Sequence, residues 1–150
     1  TWRSVDPLGL LFGRFGYLDA ARGDITVTYR LDLIEDVRPT GIIFEAPSDW
    51  NMKDWAADSF GIYHGDDILD IRLRFTGEAA KRAEKVRFHP SQKMQRVGGA
   101  LIVRLHCQGH RELIHEICHP DWLGQVQIEA PNSLRSEFND YLLKLASVTT

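Results

Sequence analysis

The 150 residues carry 18 basic and 21 acidic side chains, and this net charge of −3 argues against a surface that binds nucleic acid over its whole extent. This length is sufficient to bury a core in one domain or in two small ones. The chain has no run of about 18 apolar residues and starts with no signal-peptide pattern. Its two cysteines suit a reducing compartment, so the sequence predicts a cytoplasmic protein without a membrane partner.

The first stretch of the chain is predicted to form a small antiparallel meander. Apolar runs at 8–12 and 15–18 are separated by a glycine and an arginine, and apolar and polar side chains alternate over 25–30. Alternation with a period of two, interrupted by glycine and aspartate, is typical of strands joined by tight turns.

Three side chains of this meander are a candidate ligand-binding set. Arg14, Tyr17 and Arg30 bring two guanidinium groups and one aromatic ring close together in sequence. Guanidinium groups neutralise anions and stack on rings, so such a set is suited to an anionic ligand that carries a ring.

A short helix is predicted to follow Pro47, with Ser48 or Asp49 as its N-cap. Trp50 and Trp55 lie along this helix, and we expect them to pack rather than to bind, because buried aromatic rings usually serve a core. The polar residues at 63–67 read as a linker, which places the domain boundary between residues 64 and 65.

The second unit shows a clearer succession of elements. The pattern predicts a strand at 69–75, a helix capped by Thr76 and a strand around 86–88, with 94–97 as a further candidate run. A hairpin at the glycines 98 and 99, a strand at 101–107, a helix at 111–119, a strand at 126–128 and a final helix after 132 follow. The order βαββαβ is the ferredoxin-like plan. The final helix is expected to bury five side chains at helical spacing, namely Leu134, Phe138, Tyr141, Leu142 and Leu145.

Three short segments of the first unit resemble the WYL domain of bacterial transcriptional regulators. They are LLFGR at 10–14, GYL at 16–18 and YRLDLI at 29–34. Gly16 stands at the tryptophan position of the Trp-Tyr-Leu strand that names the family. Val27 and Leu33 stand at two arginine positions of the family's next strand.

The resemblance extends through the second unit, so that the similar segments together span nearly the whole chain. FHPSQ at 88–92 is similar to an element of the C-terminal extension found in some members of the family. WLG at 122–124, the residues around 126–128 and the proline, leucine and arginine at 131, 134 and 135 are similar to its closing strand and final helix.

The resemblance implies an α+β fold in two domains. Residues 1–64 would form a partial Sm-like or SH3-like small β-barrel that lacks its first strand, and residues 65–150 would form the ferredoxin-like extension with its C-terminal helix. The implied function is ligand sensing and dimerisation within a transcriptional regulator, without catalysis, metal or cofactor. The implied partners are a second copy of the chain, a nucleotide or single-stranded nucleic acid as effector, and duplex DNA through a helix-turn-helix domain outside this chain. The implied ligand-binding residues are Arg14, Tyr17, Arg30, Asp32, His89 and Gln92.

Two alternatives to a sensor stay open. The first is a dimerisation scaffold whose ligand site has decayed. The basis for this alternative is that Gly16, Val27 and Leu33 replace the tryptophan and two arginines of the family. The second is a zinc hydrolase, because HEICH at 115–119 is the HExxH pattern in which two histidines bind zinc and the glutamate polarises a water. A proline directly after this motif shortens the helix, and a catalytic zinc needs a third protein ligand, so the sequence favours a structural helix.

A cysteine and a cluster of cations in the second unit are both expected to have structural roles. Cys107 is expected to face the core while His106 faces the other way, which indicates a buried structural thiol. Seven cations between 81 and 104 stand against a single acid, Glu84. They would form either a phosphate-binding surface or, as we expect, a solvated helix face and a charged hairpin edge.

Overall fold

The computed structural model describes residues 1–12, 15–57, 59–61 and 67–149, which form an α+β protein with two antiparallel sheets. The first part contains β1 (Asp6–Phe12), β2 (Gly16–Arg22), β3 (Ile25–Arg30), a 3-10 turn (Leu31–Leu33) and α1 (Met52–Ala57). The second part contains β4 (Leu69–Phe75), α2 (Gly77–Ala83), β5 (Lys93–Val97), β6 (Ala100–Cys107), α3 (His110–Ile117), a 3-10 turn (Pro120–Trp122), β7 (Val126–Ala130), α4 (Asn132–Ala146) and a last 3-10 turn (Ser147–Thr149).

The predicted meander is confirmed as a three-stranded sheet with the order β1-β2-β3. The register between β1 and β2 shifts between Pro7 and Gly9, where an irregularity interrupts the ladder. Over the described residues this sheet stays open and does not close into a barrel.

The helix α1 begins later than predicted, and its cap is a different residue. Asn51 Oδ1 accepts hydrogen bonds from the backbone N–H of Lys53 at 2.9 Å and of Asp54 at 3.3 Å. Asn51 therefore caps the helix in place of Ser48 or Asp49, since asparagine caps as well as serine or aspartate and stands directly before Met52. Trp50 and Trp55 contact each other, with ring centroids 5.4 Å apart, but both are only half-buried and neither belongs to the core of the four-stranded layer.

The four-stranded sheet has the order β5-β6-β4-β7, and all its neighbouring strands are antiparallel. The helix α2 connects β4 to β5, and α3 connects β6 to β7, so the order βαββαβ is confirmed without the strand predicted at 86–88. The buried faces of both helices pack against one face of the sheet. The core of this layer consists of Phe60, Ile71, Leu73, Phe75, Ala79, Ala80, Ala83, Leu101, Val103, Leu105, Cys107, Leu113, Ile114, Ile117, Trp122, Ile128 and Leu134.

The strand predicted at 86–88 is wrong, because these residues form a loop. The side chain of Gln92 supplies the hydrogen bonds to this backbone that a partner strand would otherwise make. Its Oε1 accepts from the Phe88 N–H at 2.7 Å, and its Nε2 donates to the Val86 carbonyl at 3.2 Å. Phe88 still reaches the core, where its ring lies 5.6 Å from that of Phe75. The apolar residues at 86 and 88 thus indicate burial, but they do not form the backbone hydrogen bonds of a strand.

The cap predicted for α2 also differs. Thr76 occupies the N-cap position, but its side chain makes no capping hydrogen bond within the described part of the chain. Gln125 Oε1 instead accepts from the Ala79 N–H at 2.9 Å, and the Gln125 carbonyl accepts from the Thr76 N–H at 2.9 Å. A residue far along the sequence therefore satisfies the free N–H groups of this helix end.

The final helix α4 buries fewer side chains than predicted. Leu134 is buried, and Phe138 and Tyr141 pack partly against the core, but Leu142 and Leu145 are exposed. A helix of this length spans about 22 Å. The strand β7 beside it spans about 17 Å. The helix is therefore about one turn longer than this strand. In the described part of the chain, no helix combines the length and the apolar character required to cross a membrane.

The predicted domain boundary and linker lie mostly outside the described residues, but the segment before them packs on the second sheet. The N–H of Phe60 donates to the carbonyl of Gln108 at 2.8 Å, and Ser59 forms an isolated bridge with the same residue. The ring of Phe60 belongs to the core of the four-stranded layer. Gly109, with φ of +85°, lets the chain turn from β6 into α3 against this segment.

Substituting Gly109 with alanine tests how tightly residues 59–60 dock. A Cβ at Gly109 would overlap the Phe60 carbonyl oxygen and lie 3.1 Å from its nitrogen, whereas a Cβ at Gly124 would meet open space. Both glycines have positive φ, so each alanine costs about 1–2 kcal/mol of backbone strain. We expect Gly109→Ala to lower the free energy of unfolding in urea by a further ~1–3 kcal/mol of overpacking. Equal losses in Gly109→Ala and Gly124→Ala would contradict this close docking.

Candidate functional site

Two of the residues predicted to bind a ligand lie directly opposite each other in the three-stranded sheet. Tyr17 on β2 pairs with Arg30 on β3, so their side chains share one face. Arg14, the third member of the predicted set, lies outside the described residues. The structure thus brings together the ring and one of the two guanidinium groups.

The guanidinium group of Arg30 already holds a carboxylate. Its Nε donates to Asp32 Oδ1 at 3.0 Å, and its Nη2 donates to Asp32 Oδ2 at 2.6 Å. The same group lies over the ring of Phe15, 3.9 Å from the ring centroid. These hydrogen bonds raise the pKa of Arg30 and lower the pKa of Asp32 below its usual range. Both side chains stay partly exposed, at 38% and 47%.

The face that carries Tyr17 and Arg30 also carries a buried carboxylate. Asp19 is fully buried, and its Oδ1 accepts a hydrogen bond from the Thr28 hydroxyl on the neighbouring strand. Among the described residues its Oδ2 has no hydrogen-bond partner. Asp19 pairs with Thr28 and not with Arg30. Within the described part of the chain, Asp32 is the acidic partner of this guanidinium group.

Sequence reasoning missed Phe15 as a partner of Arg30. Phe15 stands in an apolar run just before β2, which indicates burial, yet 37% of it is exposed and its ring supports the guanidinium group. The contact joins the residue before β2 to the last residue of β3, so it can be predicted only when the register of the two strands is known.

His89 and Gln92 belong to the 86–92 loop of the second unit, away from the sheet that carries Tyr17. His89 is only 4% exposed, and its Nδ1 accepts from the Ser91 N–H at 3.1 Å. The Ser91 hydroxyl lies 2.8 Å from the same nitrogen and accepts from the His106 N–H at 2.9 Å, which ties the loop to β6. Both ends of the Gln92 amide are bonded to the loop backbone. These contacts hold the loop in place.

The HEICH motif does not form the paired histidines of a zinc protease. The helix α3 ends at Ile117, and His119 lies beyond it with an extended backbone and accepts from the Asp121 N–H at 3.2 Å. Glu116 Oε1 accepts from the indole N–H of Trp122 at 3.0 Å. No cluster of three or more potential metal ligands occurs among the residues that the structure describes.

Cys107 and His106 face opposite sides of β6, as predicted. The thiol is fully buried, and burial raises its pKa from 9.0 to about 11. His106 Nδ1 lies 2.7 Å from Asp70 Oδ1 on the other face of the sheet. The thiol is therefore protonated near neutral pH and shielded from reagents, which indicates a structural role.

The cations between 81 and 104 do not gather into one surface. Three of them have acidic partners, in the pairs Lys81–Glu78 at 2.7 Å, Arg82–Asp121 at 3.7 Å and Arg96–Glu84 at 2.7 Å. Within the described part of the chain, Lys93 and Arg104 form no ion pair. Lys85 and Arg87, between α2 and β5, are exposed and also form no ion pair among the described residues. The expected solvated helix face accounts for the cations on α2, and Lys93 and Arg104 are the unpaired cations of this segment on the described strands of the sheet.

The resemblance to WYL proteins depends on short segments, and comparison with known proteins adds no relative to it. No model of a known protein family matches the chain, and no curated protein is significantly similar to it. The functional argument therefore depends on the geometry around Tyr17 and Arg30.

The raised pKa of Cys107 predicts how stability depends on pH. Below pH 9 the thiol is protonated in both the folded and the unfolded chain, so its contribution is constant. Above pH 9 the unfolded thiol ionises first, and the free energy of unfolding falls as the pH rises toward 11. Urea unfolding at pH 8 to 11 should show a steeper decline for the wild type than for Cys107→Ala. Parallel profiles of these two proteins would contradict burial of the thiol. The variant Cys118→Ala, which removes the half-buried cysteine, is the control.

Proposed function

We propose that this chain is the ligand-sensing and dimerisation region of a bacterial WYL-type transcriptional regulator, and that it is not an enzyme. The observation that carries the proposal is the cross-strand pair of Tyr17 and Arg30 on an open sheet, with the Arg30 guanidinium stacked on Phe15. A ring next to a partly exposed guanidinium group is suited to a nucleotide base and its phosphate. The proposed effector is a nucleotide or a short single-stranded nucleic acid.

The proposed architecture is a partial small barrel followed by a ferredoxin-like domain. The strand order β5-β6-β4-β7, with helical connections between β4 and β5 and between β6 and β7, supports the ferredoxin-like assignment. The open three-stranded sheet supports a partial barrel that another strand or another chain completes.

In this proposal Asp32 acts as a built-in competitor of the effector. Its carboxylate occupies the two N–H donors of Arg30 that a phosphate would use, so the effector displaces Asp32 while Tyr17 stacks on the base. The energetic cost of this exchange is small, because exposed ion pairs contribute little to stability. Effector binding would then favour one arrangement of a homodimer and change the affinity of an attached domain for duplex DNA.

Fluorescence anisotropy with a short single-stranded oligonucleotide at two salt concentrations tests the site. We expect Arg30→Ala to weaken binding about tenfold or more, since it removes charge-assisted hydrogen bonds to phosphate. Loss of one phosphate contact should also reduce the slope of log K against log salt by about 0.7. We expect Asp32→Asn to strengthen binding, because it frees the guanidinium group.

Arg38 provides a matched control for Arg30. It also pairs with an aspartate two residues away, Asp36 at 3.0 Å, and stacks on an aromatic ring, Trp2 at 4.5 Å. Arg38→Ala should therefore remove equivalent contacts without changing the affinity. No binding by the intact chain, or equal losses in Arg30→Ala and Arg38→Ala, would count against the sensor.

A dimerisation scaffold with a decayed ligand site is the second candidate, and the bidentate pair between Arg30 and Asp32 favours it. The pair with Asp32 uses the Nε and Nη2 donors of Arg30 and so leaves fewer of its five N–H groups for a ligand. In the scaffold the chain would dimerise without responding to nucleotides.

Sedimentation velocity over a concentration series separates the two candidates. A sensor must show reciprocal linkage, so that an oligonucleotide changes the dimer dissociation constant by about 5- to 150-fold, the usual range of coupling between sites. A scaffold shows the same dissociation constant with and without oligonucleotide. A chain that is monomeric under all conditions would contradict both.

A further inference from the structure

The outer face of the four-stranded sheet, opposite the helices, carries three cations in one row. Arg104 on β6 lies directly opposite Lys93 on β5 and directly opposite Arg72 on β4. Side chains that oppose each other across neighbouring strands have Cβ atoms about 4.5–5.5 Å apart, and like charges in such positions repel.

The acids on this face compensate only part of the row. Glu129 on β7 lies 2.7 Å from Arg72 and also pairs with Arg74. Asp70 pairs with His106. Within the described part of the chain this leaves two positive charges, those of Lys93 and Arg104, without an acidic partner.

Protection of a sheet edge explains only one of these charges. Lys93 belongs to β5, which is an edge strand of the sheet, and lysines on edge strands prevent pairing with other chains. Arg104 belongs to β6, which lies between β5 and β4, so its charge protects no edge. Edge protection therefore does not account for Arg104.

The two uncompensated cations border a cleft of about 240 Å³. The residues that line it are Lys93, Met94, Gln95, Ile102 and Arg104. Ile102 is only 1% exposed although it faces away from the core layer, and Gln95 lies directly opposite it. The cleft thus combines two cations, one amide and two apolar residues. Its volume lies below the roughly 300–1,000 Å³ of pockets for drug-sized ligands.

We propose that this cleft binds a small phosphate-bearing molecule. The Arg104 guanidinium offers two parallel N–H groups to the phosphate oxygens, and Lys93 adds a point charge. A dianionic phosphate matches the two unpaired positive charges and relieves their repulsion. The site lies on the second unit and does not depend on effector binding at Tyr17 and Arg30.

Thermal unfolding with and without pyrophosphate, at constant ionic strength, tests the proposal. At ten times its dissociation constant, pyrophosphate should raise the Tm of the wild type by about 3–6 °C. Arg104→Gln should raise the Tm of the ligand-free protein, because it removes the repulsion, and should abolish the response to pyrophosphate. Arg87→Gln, which changes an exposed arginine outside the cleft, should respond like the wild type.

Several outcomes would overturn the proposal. One is that pyrophosphate raises the Tm of Arg104→Gln and of Arg87→Gln equally. Another is that the ligand-free Tm of Arg104→Gln falls below that of the wild type, which would mean that Arg104 makes a stabilising contact. A response to an oligonucleotide of six thymidines but not to pyrophosphate would also overturn it. If Arg104→Gln fails to fold, Lys93→Gln on the edge strand replaces it with the same expectations. Arg30→Ala must keep the pyrophosphate response, which separates failure of this site from failure of the proposed sensor.

Discussion

The strict alternation of side chains along β4 is the constraint on which the rest of the second unit depends. Ile71, Leu73 and Phe75 point into the core under the helices, while Arg72 and Arg74 point to the opposite face. Because β4 lies between β6 and β7, it sets the register of both neighbours. A shift of this strand by one residue would bury two guanidinium groups and expose the core. The same alternation therefore creates both the core and the charged outer face.

Features with a short sequence period were predictable, and features that depend on distant partners were not. The meander, the βαββαβ succession and the inward thiol of Cys107 all follow from local alternation and turn residues. Gln125 caps α2, and Gln92 holds the loop before β5. Neither contact could be predicted, because each depends on which side chain lies nearby in space. The exposure of Leu142 and Leu145 depends on which elements pack beside α4, and helical spacing alone does not encode this.

The candidate site was predictable to a similar extent. A hairpin register places Tyr17 opposite Arg30, and the sequence indicated both residues. The stacking of Arg30 on Phe15 and its bidentate pair with Asp32 depend on side-chain conformations that no periodicity determines. The HEICH pattern illustrates the opposite case, because the helix ends before His119 and so the motif does not place both histidines on one helix.

The docking of Phe60 bears on where the chain can be divided. A fragment that starts at the predicted boundary, residue 65, would lack this ring and leave its place among the core side chains empty. Cavities left by a buried phenylalanine typically cost about 3–5 kcal/mol. That is a large share of the stability of a small domain, typically about 5–15 kcal/mol. An autonomous version of the C-terminal half must therefore begin upstream of Ser59 and carry a piece of its neighbour.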